Sequence, residues 1–270
     1  MPSEPSSPAR AALLWLPALG VPARKYERLA GRLAEHHIAT HLHEWRGTGE
    51  HPARASRHHD WGYRELLLED IPQSLRLLRE RHPAAPVLLG GHSLGAQLGV
   101  LAAALHGGVA GLVAIGSGVP HWRHFAPPLR WLIAGFGHGL PLLTRIVGFY
   151  PGEQLRFAGR EAGQVMRDWA QTVRRGHYDG LHGLPEHVGE RLAALELPFL
   201  GLRLSADGLV PEASLQALFA TTRSAAVREC VLDAVALGTK PDHFAWMREP
   251  DAVAREIAGW WTDAAGRDVP

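Results

Sequence analysis

The chain has 270 residues, of which 46% are hydrophobic, and a formal net charge of +1 from 28 Lys and Arg against 27 Asp and Glu. This length fits one large domain, and the balanced charge gives no electrostatic reason to expect nucleic acid or an anionic membrane as a partner. The single cysteine, Cys230, excludes an intrachain disulfide and is typical of a reducing cytoplasm, where we expect the protein to act.

Two regions of the chain could be mistaken for targeting or membrane segments. Residues 1–10 are rich in Pro and Ser and lack the basic end and apolar run of a signal peptide, so we expect a disordered tail. The stretch from Leu129 to Val147 is the most apolar one. We do not expect it to span a membrane, because it contains Arg130, Arg145 and Pro141. The 17 histidines are scattered without metal-ligand spacing, so no metal site is expected.

Short apolar runs alternate with amphipathic stretches, as is typical of strands separated by helices. Strands are predicted at residues 12–16, 38–42, 86–90, 111–115, 199–204 and 227–232. Helices are predicted at 23–35, 60–81, 94–105, 160–175 and 251–261, and Pro72 should kink or restart the second of them. Most of these strands lack clean alternation, which favours an α/β fold with a doubly wound, mostly parallel sheet of about six strands, covered on both faces.

The alternation breaks between residues 119 and 194, where no good strand pattern occurs. We interpret 119–194 as a helical lid insertion, and 11–118 together with 195–270 as the core domain. The aromatic side chains of residues 119–194 could line an acyl pocket or simply pack the lid onto its base. They are Trp122, Trp131, Phe149 and Trp169. The sequence does not identify the substrate-binding residues.

Gly91-His92-Ser93-Leu94-Gly95 forms a G-x-S-x-G pattern between a predicted strand and a predicted helix. A tight strand-to-helix turn needs small residues at 91 and 95, and it projects the Ser93 hydroxyl beyond the sheet. The following helix directs backbone N–H groups at developing negative charge. The pattern alone is weak in a chain with 30 glycines, so its placement carries the argument.

The order of catalytic residues in such folds is Ser, then an acid, then His. Asp207 comes just after the strand predicted at 199–204, on a turn that Gly208 eases. His243 is the one histidine that follows Asp207 in the sequence, and it lies in the loop before the last helix. Asp242 is a rival acid, but adjacent side chains diverge, so we interpret it as a solvated loop charge.

These residues predict a nucleophile, acid and base triad. His243 would take the proton of Ser93, and Asp207 would fix the tautomer of His243 and stabilise its charged form. The oxyanion hole should use the N–H of Leu94 and an N–H from the loop after the first strand, with Leu19 preferred over Ala18.

Several segments together resemble one group of enzymes. They are Leu14–Pro22, Trp45–Gly49, Gly91–Gly95, Asp207–Pro211 and His243-Phe244, and they look like the bacterial predicted α/β-hydrolases related to serine aminopeptidases and monoglyceride lipases. The resemblance runs from about Ala11 to Trp261 and implies a serine hydrolase without a cofactor. Relatives usually carry two further strands before the first one here, so we expect a sheet that lacks those N-terminal edge strands.

The expected activity is hydrolysis of an ester or related acyl bond of a small molecule through an acyl-enzyme. An acyltransferase or a cofactor-free perhydrolase would use the same triad, and a non-catalytic binding protein could share the fold. An apolar pocket under the lid would favour uncharged acyl esters over peptides. No nucleic acid partner is expected, and the oligomeric state is not predicted.

Overall fold

The computed structural model describes residues 5, 8–155 and 157–266. Most of the tail predicted at residues 1–10 lies outside the described residues. Across the described ranges, no helix is both long and apolar enough to cross a membrane.

The strands are β1 (Ala11–Leu16), β2 (Ile38–Leu42), β3 (Val87–His92), β4 (Gly111–Ile115), β5 (Phe149–Pro151), β6 (Arg160–Ala162), β7 (Phe199–Leu204) and β8 (Val227–Leu232). A six-stranded sheet with strand order β2-β1-β3-β4-β7-β8 forms the centre of the fold. Every neighbouring pair in it is parallel, which confirms the predicted sheet. The second, two-stranded sheet pairs β5 with β6.

Helices cover both faces of the large sheet, and an apolar cluster lies on each face. This explains why β1 and β3 are buried along their whole lengths and show no polar alternation. The α-helices are α1 (Glu27–Glu35), α2 (Tyr63–Glu65), α3 (Ile71–Arg81), α4 (Leu94–His106), α5 (Leu129–Val147), α6 (Gly152–Leu155), α7 (Gly163–Arg175), α8 (Val188–Ala193), α9 (Glu212–Phe219), α10 (Ala234–Leu237) and α11 (Asp251–Ala265).

Pro72 affects its helix as predicted, through a local change of helix type. Leu66–Asp70 forms a π-helical turn between α2 and α3, and Pro72 occupies the first turn of α3. Proline has no N–H, and its ring clashes with the carbonyl four residues earlier, so a wider turn at that point relieves the conflict.

The expectation that residues 119–194 hold no strand is wrong. Phe149–Pro151 and Arg160–Ala162 pair antiparallel. These three-residue strands are too short to produce a periodic pattern. The helix predicted from Arg160 also begins later, at Gly163, because remote groups satisfy its first N–H groups: Gln164 donates to the Asp60 carboxylate and Val165 to the Trp61 carbonyl.

The parallel arrangement brings the carboxyl ends of the strands to one edge of the sheet. In the described part of the chain no strand precedes β1, and β2 forms the sheet edge on that side. The chain leaves β3 at Ser93, β4 at Gly116 and β7 just before Asp207, so these residues gather at the same edge. Ligands in open α/β sheets bind at this edge.

Candidate active site

Ser93 occupies a strained turn between β3 and α4. Its φ of 54° and ψ of −121° are unusual for a residue with a side chain. A Cβ at Gly91 would lie 2.5 Å from the Ala96 nitrogen, and a Cβ at Gly95 would lie 2.1 Å from the Leu16 oxygen. Glycine is therefore required at both flanks by close backbone approach.

Two hydrogen bonds hold the backbone of Ser93. Its N–H donates to the Ile115 carbonyl at 3.0 Å, and the Ser117 hydroxyl donates to its carbonyl oxygen at 2.6 Å. The Ser93 side chain is half-buried, and its hydroxyl makes no hydrogen bond with any described residue. The turn is thus fixed by its neighbours, while the hydroxyl is left available.

Asp207 lies three residues past β7, in a turn that its own carboxylate stabilises. The Leu209 and Val210 N–H groups donate to Oδ1 at 2.8 and 3.2 Å. The remaining oxygen, Oδ2, lies 2.7 Å from Nδ1 of His243. The side chains of Asp207 and His243 are only 3% and 6% exposed, so this hydrogen bond is shielded from water.

Asp242 has a different task. Its Oδ1 accepts hydrogen bonds from the N–H groups of Phe244 and Ala245, and its Oδ2 lies 3.2 Å from the Lys240 ammonium. These backbone bonds, with the Lys240 cation, hold the pKa of Asp242 below its usual value. The carboxylate therefore shapes the loop that carries His243 and makes no hydrogen bond with its ring.

A residue that sequence reasoning did not single out, His92, lies against His243. The two ring centroids are 4.6 Å apart, and His92 is fully buried. A Cβ at Gly116 would lie 3.1 Å from Asp207 Oδ2, 3.3 Å from His243 Nδ1 and 3.4 Å from His92 Nε2, so these three atoms surround one point. The only signal in the sequence was the position of His92 inside the G-x-S-x-G pattern.

One of the N–H groups considered for the oxyanion hole already has an acceptor in the structure. Ala18 donates its N–H to the Tyr26 hydroxyl at 3.1 Å, which removes it as a second donor. Within the described part of the chain, the N–H groups of Leu19 and Leu94 have no acceptor. Leu19 follows β1 by three residues, and Leu94 begins α4, whose N-terminal end carries partial positive charge.

The inserted segment touches the loop that holds Leu19. Gly20 has a φ of 72°, and a Cβ on it would lie 2.5 Å from the nitrogen of Gly159, in the turn between β5 and β6. Trp169 packs inside the segment, with ring centroids 5.9 Å from Phe136 and 6.1 Å from Phe157. Of the two roles considered for that tryptophan, packing is the one its position favours.

An open groove of about 1140 Å³ lies beside His243. Its lining residues come from three segments, within residues 20–28, at 208–209 and within 239–249, and charged side chains occur in the first and the last. None of its lining residues belongs to 119–194. This groove is therefore distinct from the apolar pocket expected under the insertion.

Comparison with known proteins shows which family profile and which solved structures the chain resembles. A sequence profile described as serine aminopeptidase, S33, matches residues 7–235, a span that includes Ser93 and Asp207 and ends before His243. No curated protein sequence matches the chain.

Among solved structures, monoacylglycerol lipase of Paleococcus ferrophilus is 16% identical, with a TM-score of 0.64 over 98% of each chain. A soluble variant of monoglyceride lipase from Saccharomyces cerevisiae is 14% identical, with a TM-score of 0.70 over 98% of this chain and 90% of the other. A thioesterase of the prodiginine pathway in Streptomyces coelicolor is 19% identical, with a TM-score of 0.56 over 95% and 93%. These similarities establish a shared fold.

Proposed function

The chain belongs to the serine aminopeptidase S33 family of α/β-hydrolases, and we propose that it cleaves an ester or related acyl bond through an acyl-enzyme on Ser93. The observation that carries this proposal is the shielded 2.7 Å hydrogen bond between Asp207 and His243, at the sheet edge where Ser93 is held in its strained turn. A buried acid that orients a histidine, at the same sheet edge as a serine with an available hydroxyl, is the set of groups that acyl transfer needs.

In the proposed reaction His243 removes the Ser93 proton as Oγ attacks the substrate carbonyl, giving a tetrahedral intermediate with a negative oxygen. The N–H groups of Leu94 and Leu19 stabilise that oxygen. His243 then returns the proton to the leaving group, and water, activated by the same histidine, releases the acid. Asp207 keeps the proton of the neutral imidazole on Nδ1, which leaves Nε2 free to accept from Ser93.

We assign residues 119–194 as a lid over this site, since their turn at Gly159 abuts the loop of Leu19. The rings of Phe136, Phe157 and Trp169 pack together inside the segment. Cys230 is a free cysteine in the structure, consistent with the cytoplasm as the proposed location.

Labelling with a fluorophosphonate probe tests the nucleophile. The wild type should gain one covalent adduct, located on Ser93, and Ser93→Ala should gain none while losing roughly a millionfold in turnover of p-nitrophenyl acetate. Near-UV circular dichroism checks that the variant is folded. Absence of labelling in the wild type would point to a binding protein, and near-normal turnover by the variant would refute the assignment of Ser93.

A second experiment addresses the substrate class. We expect specificity constants for p-nitrophenyl esters to rise with acyl length until the lid limits them, because each buried methylene contributes about 0.8 kcal/mol. Aminoacyl p-nitroanilides should stay near background. Faster cleavage of the anilides would favour an aminopeptidase, and ester or amide products formed from added alcohols or amines would favour an acyltransferase.

A further inference from the structure

A buried chain of hydrogen bonds connects the loop after β1 with the histidine before the nucleophile. The Ala18 N–H donates to the Tyr26 hydroxyl at 3.1 Å, and that hydroxyl lies 2.8 Å from Nδ1 of His92. All three residues are at most 2% exposed. The chain joins segments 66 residues apart in the sequence, and neither Tyr26 nor His92 has a role in the reaction described above.

The available donors and acceptors allow the protons to be assigned. The Tyr26 oxygen accepts from Ala18, and among the described residues Nδ1 of His92 is the acceptor within reach of the Tyr26 proton, so we assign the donation from Tyr26 to Nδ1. Burial raises the pKa of Tyr26, so the phenol keeps that proton. Burial, and then the nearby His243, hold the pKa of His92 well below its usual value, so the ring is neutral. A neutral imidazole that accepts at Nδ1 carries its one proton on Nε2.

That Nε2–H group faces the acid and base pair. His92 Nε2 is one of the three atoms that surround the Gly116 position. It makes no hydrogen bond of ordinary geometry to a described residue, and the His243 backbone lies close enough to interact with the ring. The rings of Trp246 and Phe244 enclose His92 on other sides, with centroids 5.3 and 5.8 Å away. A fixed N–H dipole in such a dry site acts strongly on neighbouring charges.

We propose that Tyr26 and His92 are positioning residues: Tyr26 locks the His92 tautomer so that Nε2–H faces Asp207 and His243, and it ties that pair to the loop that carries Leu19. This inference rests on the proposed function. The positive end of the N–H dipole faces the Asp207 carboxylate and the His243 ring. The other tautomer would present a lone pair at the same place.

The charged and titratable groups around this point are few. Asp207 and His92 face the His243 ring, while Lys240 and Asp242 in the same loop are paired with each other. A change of the His92 tautomer should therefore be visible in the pH dependence of the reaction. A role in packing alone would lower activity without moving that dependence.

Tyr26→Phe tests the proposal, because it keeps the ring and removes the hydroxyl. With a p-nitrophenyl ester we expect kcat to fall about tenfold to a hundredfold, from misplacement of the acid and base pair, with little change in KM. The acid limb of the kcat/KM profile should move upward by roughly half a pH unit, because the freed His92 can turn a lone pair towards His243. His92→Asn, which lacks Nε2–H, should move the limb in the same direction.

Tyr63→Phe is the matched control, since Tyr63 is also fully buried but its hydroxyl has no partner among the described residues. Its activity and pH profile should match the wild type. An unshifted acid limb in a folded Tyr26→Phe variant, or an equal shift in Tyr63→Phe, would overturn the proposal. If Ser93→Ala remains inactive in that case, the proposed function stands and only the role of Tyr26 and His92 is wrong.

Discussion

At the residue scale, the Asp207 carboxylate divides its two oxygens between two tasks. Oδ1 accepts hydrogen bonds from the N–H groups of Leu209 and Val210, and Oδ2 faces Nδ1 of His243. The backbone donors fix the rotation of the carboxylate, so the second oxygen is held facing the histidine. An amide at this position would be oriented by the same two donors.

Asp207→Asn should therefore place its oxygen on the backbone N–H groups and its NH₂ against His243. The ring would have to accept at Nδ1 and carry its proton on Nε2, where it could no longer accept from Ser93. We expect kcat to fall by about four orders of magnitude, measured with p-nitrophenyl acetate.

Asp242→Asn is the control for that substitution. Asparagine keeps the acceptor for Phe244 and Ala245, and the lost partner is the exposed Lys240, worth about 0–1 kcal/mol. Activity should stay close to that of the wild type. If instead Asp242→Asn were inactive and Asp207→Asn active, the acid would have to be assigned to position 242.

At the element scale, α4 begins as close to the end of β1 as the backbone allows. Gly95 faces the carbonyl oxygens of Leu16 and Pro17, and Gly99, one turn later on the same helix, meets only the Leu16 side chain at 3.5 Å. The first glycine sets the distance between helix and strand, and hence the position of Ser93. The second one has no such constraint.

Gly95→Ala and Gly99→Ala should therefore change the free energy of unfolding in opposite directions. The methyl group at position 95 must push α4 away from β1, which we expect to abolish activity and to destabilise the fold by about 1–3 kcal/mol. Alanine at position 99 relieves the entropic cost of a helical glycine and should stabilise by about 0.5–1 kcal/mol. Urea unfolding of both variants measures the difference, and equal effects would contradict this account of the turn.

At the scale of the whole molecule, buried histidines and buried carboxyl groups affect the pH dependence of stability. Burial lowers the pKa of His43 to about 3 and holds that of His92 well below its usual value. It also raises the pKa of Asp168 to about 6 and of Glu161 to about 7. The histidines and the carboxyls have opposite effects on the pH dependence of stability.

Below about pH 6.5 the unfolded chain protonates both histidines and the folded chain does not, so the free energy of unfolding falls as the pH drops. The two carboxyls bind protons more tightly in the folded state. Protonation of Glu161 below about pH 7, and of Asp168 below about pH 6, therefore raises the free energy of unfolding. Between pH 6 and pH 5 the four contributions should nearly cancel.

Asp168→Asn removes one of the two compensating carboxyls. Over pH 6 to pH 5 its free energy of unfolding should decline more steeply than that of the wild type, by up to roughly 1.4 kcal/mol per pH unit. Urea titrations at several pH values give the two curves. The cost of losing a carboxylate oxygen changes the height of the curve and not its slope, so parallel curves would contradict the assigned role of Asp168.

Sequence patterns predicted the features that depend on neighbours along the chain. The strands 38–42, 111–115, 199–204 and 227–232 match the structure because an apolar run between turn residues is a local signal. The strand before Ser93 and the helix after it were recognised for the same reason. Asp207 and His243 could be selected as triad candidates because the order along the chain leaves few alternatives.

Other features were decided only by contacts between distant segments. The strands at Phe149 and Arg160 and the start of α7 depend on remote backbone and on Asp60, which periodicity cannot register. The availability of Leu19, and not Ala18, follows from the Tyr26 hydroxyl eight residues away, and the His92 tautomer follows from the same group across 66 residues. A sequence pattern indicates which side chains prefer burial. The position of a proton, or the acceptor that an N–H group finds, depends instead on which partner the folded chain brings within hydrogen-bonding distance.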